Sequence, residues 1–390
     1  MDARNPRGLF GHFDELEDPR MDRTKDHRLD DLLAIAVLAT VCGAKGPSDM
    51  ADFGRDRLDW LKTFLALPHG VPSHDTFGRV LGMLDPDAFE RCFSRWVRGL
   101  VEASGLGALH IDGKTLRRSF ESAGKKTPVH MVSVWASKAE LALAQVATGQ
   151  GKKRGGSGGN EITAIPKLLD LIALHGAVVT IDAIGCQTNI AKKIIDRGGH
   201  YLLAVKDNQP TLHEDLKLLF DEAIANDFEH MGYDVHEQVD GDHGRVETRR
   251  VWVTRDIDWL RERGDWPNLR SAVCVEAKRE LPGQAPSVQR RYYITDLDHR
   301  DRGQDAACFA ALIRSHWTIE NQLHWCLDVA FDEDHCRVRQ GHAAENLARL
   351  NRMALNLLKQ EKTCKRGLAA KRLRCGWSPD YLLKVLGLLD

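Results

Sequence analysis

Three carboxylates set into apolar surroundings limit what this chain of 390 residues can fold into. Asp112 closes the run Leu-His-Ile-Asp, Asp182 follows Val-Val-Thr-Ile, and Glu320 stands in His-Trp-Thr-Ile-Glu-Asn. The first two runs predict buried strands, and the third lies on the apolar side of a predicted helix. A carboxylate in such a place costs several kcal/mol, roughly, unless it is paired, protonated or bound to a cation. Any one of them taken singly fits a satisfied hydrogen-bonding group near a core. Three that converge would make a site for divalent cations.

The length exceeds the roughly 250 to 300 residues at which a single core stops growing, so two or three domains are expected. With 43% hydrophobic and 28% charged residues, no apolar run of about 18 residues and no secretory signal, the composition is that of a cytoplasmic globular protein without a membrane partner. Nine cysteines without a Cys-x-x-Cys pair suggest small buried thiols, neither a disulfide framework nor a zinc ribbon. The net charge of -1 argues by itself against nucleic acid, but the distribution does not. Between Arg337 and Arg374 eleven Lys or Arg face only Glu345 and Glu361. That run is either a solvated helix with a basic tail or a surface that contacts phosphates.

The first hundred residues are helical by period: Leu29, Leu32, Leu33, Ala36 and Val37 recur at helical spacing, Ser73 is placed to cap a helix, and Phe89, Phe93, Trp96, Val97 and Leu100 line another. After Gly107 the period changes. Residues 108–111, 129–136 and 141–147 predict three strands of a meander, followed by a Gly-rich connector, 149–159, with Lys152, Lys153 and Arg154. A helix over 161–175, a strand over 177–181, a helix over 189–197 and a strand over 201–205 predict parallel crossovers beside the meander. From about 227 to 300 a β-rich insertion is expected, and then a long helix from 305 to about 330. In that helix Phe309, Ile313, His316, Glu320, Leu323 and Leu327 share one stripe. The expected division is a helical domain over 1–100, with possible DNA binding, and an α/β domain over 101–390.

Two divalent ions held about 3.5 to 4 Å apart by acids can activate a water or a 3′-hydroxyl and stabilise the leaving oxygen of a displacement at phosphorus. Hard oxygen ligands suit magnesium or manganese, and ligand spacing for zinc is absent. A phosphodiester substrate also needs its charge offset. Lys114, Arg117 and Arg118 follow Asp112, and Lys206 and Asn208 follow the strand after that of Asp182; each could hold a flanking phosphate or simply lie at the surface. Arg245, Glu247 and Arg249 share one face of a strand, either compensating one another or gripping phosphate.

These segments together resemble the H-repeat-associated transposases, bacterial insertion-sequence enzymes of the DDE superfamily. The resemblance rests on Glu17-Asp18-Pro19-Arg20, His27, Cys42-Gly43 and Val71-Pro72-Ser73-His74-Asp75-Thr76-Phe77 in the first part. In the core it rests on Ile111-Asp112-Gly113-Lys114, Asn160-Glu161-Ile162, Asp182-Ala183, Lys206-Asp207-Asn208-Gln209 and His243-Gly244-Arg245. The last block is His316-Trp317-Thr318-Ile319-Glu320-Asn321, with Leu323-His324-Trp325 and Leu327-Asp328-Val329. The resemblance implies a ribonuclease H-like mixed-sheet core with a β-rich insertion, a helical N-terminal domain and a basic helical C-terminus. In it Asp112, Asp182 and Glu320 are the catalytic residues and bind two magnesium ions, for which manganese can substitute. The implied reaction is cleavage at element ends and strand transfer into target DNA. The partners are double-stranded DNA, namely terminal inverted repeats and target, and a second copy in a synaptic homodimer. The place of work is the cytoplasm, at the nucleoid when DNA is bound.

One departure stands out. Related enzymes surround the final acid as Tyr-x-x-Arg-x-x-x-Glu-x-x-x-x-x-x-Lys, where this chain has Ile313, His316, Glu320 and Leu327. His316, Asn321 and His324 are the candidates to replace the missing phosphate contacts, and Asp328 is a reserve for the third ligand. Two rival readings are an inactive descendant that only binds DNA and a stand-alone nuclease without strand transfer.

Overall fold

The computed structural model describes residues 11–101, 107–119, 127–149, 160–242, 245–298, 300 and 305–388. The basic triplet Lys152, Lys153 and Arg154 and the dipeptide His243-Gly244 lie outside the described residues. Helices α1 (Leu29–Cys42), α2 (Pro47–Asp56), α3 (His74–Met83) and α4 (Pro86–Val101) come first. Strands β1 (Ala108–Thr115), β2 (His130–Ala136) and β3 (Leu141–Ala147) follow. Next come α5 (Glu161–Leu171), β4 (Val178–Ile181), α6 (Thr188–Asp196), β5 (His200–Val205) and α7 (Pro210–Ala225). Strands β6 (Tyr233–Asp242), β7 (Arg245–Thr254), β8 (Ser271–Glu280) and β9 (Ser287–Thr295) lead to α8 (Ala306–His316) and a π-helical turn at Ile319–His324. Helices α9 (Trp325–Phe331), α10 (Ala343–Gln360), α11 (Leu368–Trp377) and α12 (Pro379–Val385) end the chain.

The chain divides into two compact units. The first gathers Met1–Gly105, Gly113–Asn160 and Glu320–Asp390, and the second Leu106–Asp112 and Glu161–Ile319. Sheet order is β3-β2-β1 in the first unit and β1-β4-β5-β9-β8-β7-β6 in the second, the residues of β1 being shared between them. This is the mixed α/β class, with helices at both ends of the chain. No described helix is long and apolar enough to cross a membrane. All nine cysteines are free thiols, five of them buried.

In the first unit α1 is apolar on almost every side and buried from Asp31 to Val41, as a helix without a polar face must be. Helix α10 lies against it and is buried along most of its length, polar residues included. The buried Asn346, Arg349, Asn351, Arg352 and Asn356 of α10 each make at least one hydrogen bond, because leaving such a group wholly unpaired costs its full desolvation. Arg349 Nε donates to Glu90 Oε2 on α4 at 2.8 Å, and Arg352 NH1 to Glu333 Oε1 at 3.1 Å. Asn346 donates to the carbonyls of Leu81 and Leu84, where α3 ends, at 2.8 and 3.0 Å. The Asn356 amide takes both backbone groups of Ala142, at 2.9 and 2.8 Å, and so pairs with the outer strand β3. Gly341, at φ +51°, admits no side chain: a Cβ there would stand 2.2 Å from the Gly82 carbonyl oxygen.

The basic run from Arg337 to Arg374 is therefore not simply a solvated tail. Arg349, Arg352, Lys371 and Arg372 are buried and bonded within the unit. Arg337, Lys362, Lys365, Arg366 and Arg374 remain at its surface.

In the second unit β1, β4 and β5 are parallel, and β9 pairs antiparallel with β5. The β-rich insertion extends the same sheet outward through β8, β7 and β6. Leu202, Val251, Val253 and Val273 meet Ala306 and Phe309 of α8 in one apolar cluster. Helix α7 has no counterpart in the periods read from the sequence. Its buried Leu212, Leu216, Leu219, Phe220 and Ala223 follow Pro210, which starts the helix without needing an N–H.

Replacing Glu90 by Ala leaves the Arg349 guanidinium buried without its carboxylate. We expect a loss of about 3 to 5 kcal/mol in unfolding free energy. Urea denaturation of the two proteins measures it.

Candidate metal centre

The site begins with strand register. In the second unit β1 and β4 pair Ala108 with Val178, Leu109 with Val179, His110 with Thr180 and Ile111 with Ile181. The next step brings Asp112 and Asp182 level. By the period of two each stands on the face of the residue two before it, on strands about 4.8 Å apart. Asp182 leaves β4 in extended conformation and its Oδ1 accepts from the Ile184 N–H at 3.2 Å, capping a short turn at Ala183–Gly185. That turn is tied from beyond β5: Asn208 Nδ2 donates to the Ala183 carbonyl at 2.6 Å and Gln209 Nε2 to that of Cys186 at 2.8 Å. Asn208, taken from the sequence as a phosphate contact, is thus also a support for the turn. Gly185 is needed where it is, since a Cβ would meet Ile181 Cγ2 at 2.3 Å.

Burial raises the Asp182 carboxyl above its ordinary value of 3.8, and the negative Glu161 at the start of α5 raises it further. The N–H groups of Ile184 and Gly185 and the charge of Lys206 pull the other way. A desolvated carboxylate beside a second acid is relieved by a cation, and the donors here are hard oxygens. The residues therefore fit a divalent metal of the magnesium type. Behind the aspartates, His110 is fully buried and its Nδ1 is 2.6 Å from Thr180 Oγ1, which is 2.8 Å from His316 Nδ1. Burial and the neighbouring His316 push His110 down to about 3, so it is neutral.

The first unit carries the third acid. The helix expected to run unbroken from 305 to about 330 does not: α8 ends at His316 and the chain passes through a π-helical turn before α9. The wider turn changes the phase of the stripe. Ile319, Leu323 and Leu327 face the core, whereas the Glu320 side chain is 55% exposed. Glu320 is therefore not on the apolar side, a correction to the regular spacing assumed from sequence; π turns of this kind recur at functional sites. The turn sets Glu320 Oε2 3.0 Å from Nδ1 of the buried His324. That contact, with the charges of His324 and Lys114, holds the Glu320 carboxyl below its usual range.

Lys114 is buried, and its Nζ donates to Asp328 Oδ1 at 2.6 Å and Asp334 Oδ1 at 3.1 Å; Arg117 pairs with Asp334 at 3.2 Å. Asp328, the reserve ligand, is thus matched by Lys114. Arg117, Arg118, Lys206 and Asn321 are exposed. In the insertion Arg249 bonds Glu247 and lies 3.7 Å from Asp240, and Arg245 is 3.7 Å from Glu247. The sequence reading did not single out Thr180 or Glu161 for the site, nor His324 as the partner of Glu320. The i, i+4 spacing of Glu320 and His324 and the two-residue step from Thr180 to Asp182 were the available signals.

Two family descriptions match the chain: DDE_Tnp_1-associated over residues 10–97 and Transposase DDE domain over residues 104–357. Among curated proteins, the "H repeat-associated putative transposase YhhI" of Escherichia coli (strain K12) is 35% identical, over 97% of this chain and 97% of that protein. A protein of Xanthobacter autotrophicus, described as lying in the dhlA 3' region, is 43% identical over 75% of this chain and 94% of that protein. A solved piggyBac transposase synaptic complex with hairpin DNA aligns at TM-score 0.42 and 11% identity, over 99% of this chain and 86% of that one.

The raised Asp182 carboxyl makes a pH-dependent prediction. Below 3.8 the group is protonated in folded and unfolded chains alike; as pH rises, only the unfolded chain ionises freely, so stability is lost up through the higher folded value. Asp182→Asn removes that loss. In metal-free buffer its melting temperature should match wild type near pH 3.5 and exceed it at pH 7, as read by thermal melts.

Proposed function

Because the chain belongs to the transposase DDE-domain family, we propose that it is an insertion-sequence transposase whose metal ligands are Asp112, Asp182 and Glu320. The observation that carries this reading is the β1/β4 register, which sets two carboxylates level one step beyond the last paired residues of adjacent parallel strands. Glu320 completes the set, held in its rotamer by His324. Magnesium is the ion we assign, two per site, with manganese as a substitute. Bound there, such ions supply the charge that activates a water or 3′-hydroxyl and stabilises the leaving oxygen of a phosphodiester.

The residues of the chain divide the remaining work. Asp182, raised by burial and by Glu161, prefers a cation to a bare negative charge. Asn208 and Gln209 keep its turn in place. Arg117, Arg118, Lys206, Asn321, Arg245 and Arg249 are the groups we assign to phosphates of the terminal repeats or of target DNA. Lys114, His316 and His324 have inner partners, which supports positioning roles for them. We assign DNA contacts to the N-terminal helices as well, and a homodimer, working in the cytoplasm at the nucleoid, to synapsis of two ends.

The test uses purified protein, magnesium or manganese, and a supercoiled plasmid carrying the flanking DNA of the gene. Wild type should cut at the element ends and yield joined products, while Asp182→Asn binds DNA but does not cut. Cleavage retained in the variant overturns the assignment. Nicks never followed by joining would identify a nuclease, and binding without cleavage in wild type an inactive descendant.

A further inference from the structure

We propose that Thr180 is a positioning residue of the aspartate pair: its hydroxyl, held between the imidazoles of His110 and His316, ties β1, β4 and α8 together one side-chain step before Asp112 and Asp182. The inference rests on the metal-site reading above and adds to it a residue that touches neither metal nor DNA.

The geometry is specific. His110 and Thr180 are direct partners in the parallel ladder, and the ladder ends one residue later at Ile111 and Ile181. Beyond that point Asp182 is steadied by its short capping turn. The Thr180 hydroxyl therefore ties the two strands one side-chain step before the aspartates, on the face that they share. The third member comes from α8, where His316 Nδ1 reaches the same hydroxyl and the two rings meet edge to face at 5.7 Å and 88°.

A threonine hydroxyl has one proton and can also accept. Thr180 can therefore donate to one imidazole and must accept from the other, so the two rings take complementary roles. Valine in its place would keep the shape and leave two ring nitrogens facing a methyl group. Supports of this kind, one shell behind the ligands, tune metal affinity by holding the ligands at a fixed spacing. His316 occupies the position where related enzymes have arginine, and its Nδ1 is directed to Thr180.

The experiment compares full-length wild type with Thr180→Val, Thr180→Ser and Asp182→Asn. Manganese binding is followed by electron paramagnetic resonance, ring tautomers by nitrogen-15 histidine spectra, and plasmid cleavage at saturating DNA by gel. Thr180→Val should bind manganese about tenfold more weakly and cut about tenfold more slowly, with DNA half-saturation unchanged and the His110 and His316 signals shifted. Thr180→Ser should restore affinity and rate. Manganese affinity and rate at wild-type level in Thr180→Val overturn the proposal. If that variant does not fold, His316→Phe, which keeps an aromatic ring and removes one hydrogen bond, decides by the same criteria. Loss of manganese in Asp182→Asn but not in Thr180→Val overturns the tie alone. Undiminished binding in Asp182→Asn overturns the metal-site reading with it.

Discussion

Pairing of β1 with β4 is the constraint on which the active-site reading depends. A parallel ladder has a side-chain period of two, so a slip by one residue would send Asp112 and Asp182 to opposite faces. Register in such strands is set by what the two faces bury. Leu109, Ile111, Val179 and Ile181 are all buried, and His110 opposite Thr180 supplies a polar match that a slip of one residue would replace by Val179 or Ile181. The aspartates then stand where the β1/β4 ladder runs out, Asp182 just past the carboxyl end of β4, as sites in open α/β sheets commonly do, and Asp112 inside β1, which continues to Thr115.

The first unit depends on a different device. Its central helix α10 carries asparagines and arginines into the interior, and every one of them named above answers a specific group on another element: Glu90 on α4, Glu333 before α10, the end of α3, the edge of β3. Buried ion pairs contribute little net stability compared with apolar replacements, but they tolerate only one arrangement of partners. The segments bonded to α10 are far apart in sequence, so these contacts define how the N-terminal helices, the β2/β3 hairpin and the C-terminal helices assemble. Charge that looked available for DNA is used in that assembly at Arg349 and Arg352.

Most strands were legible because alternation and buried apolar runs are local signals. Ala108–Ile111, Val178–Ile181 and the four strands of the insertion follow from them, and so does the placement of Asp182 at a strand end, whereas Asp112, expected to close its strand, lies inside β1, which runs on to Thr115. The insertion's position was not legible: β9 joins β5, a pairing between segments about 90 residues apart that neither sequence advertises. Glu320 shows the limit of periodicity more sharply. Ideal helical spacing put it on the stripe of Phe309 and Leu327, yet one π-helical turn between them moved Ile319 into the core and Glu320 outward.

Sequence alone determined the chemical inventory: three acids in three segments, their order, the residue types around them and the family they belong to. It also determined the local elements, since period and capping act over a few residues. Tertiary structure alone decided which groups are paired. Lys114 is matched to Asp328 and Asp334, Glu320 to His324, and Thr180 to two histidines 70 residues before and 136 residues after it. The physical reason is that burial and hydrogen bonding are properties of the neighbourhood in space, and only chain folding brings those neighbours within 3 Å or so of each other.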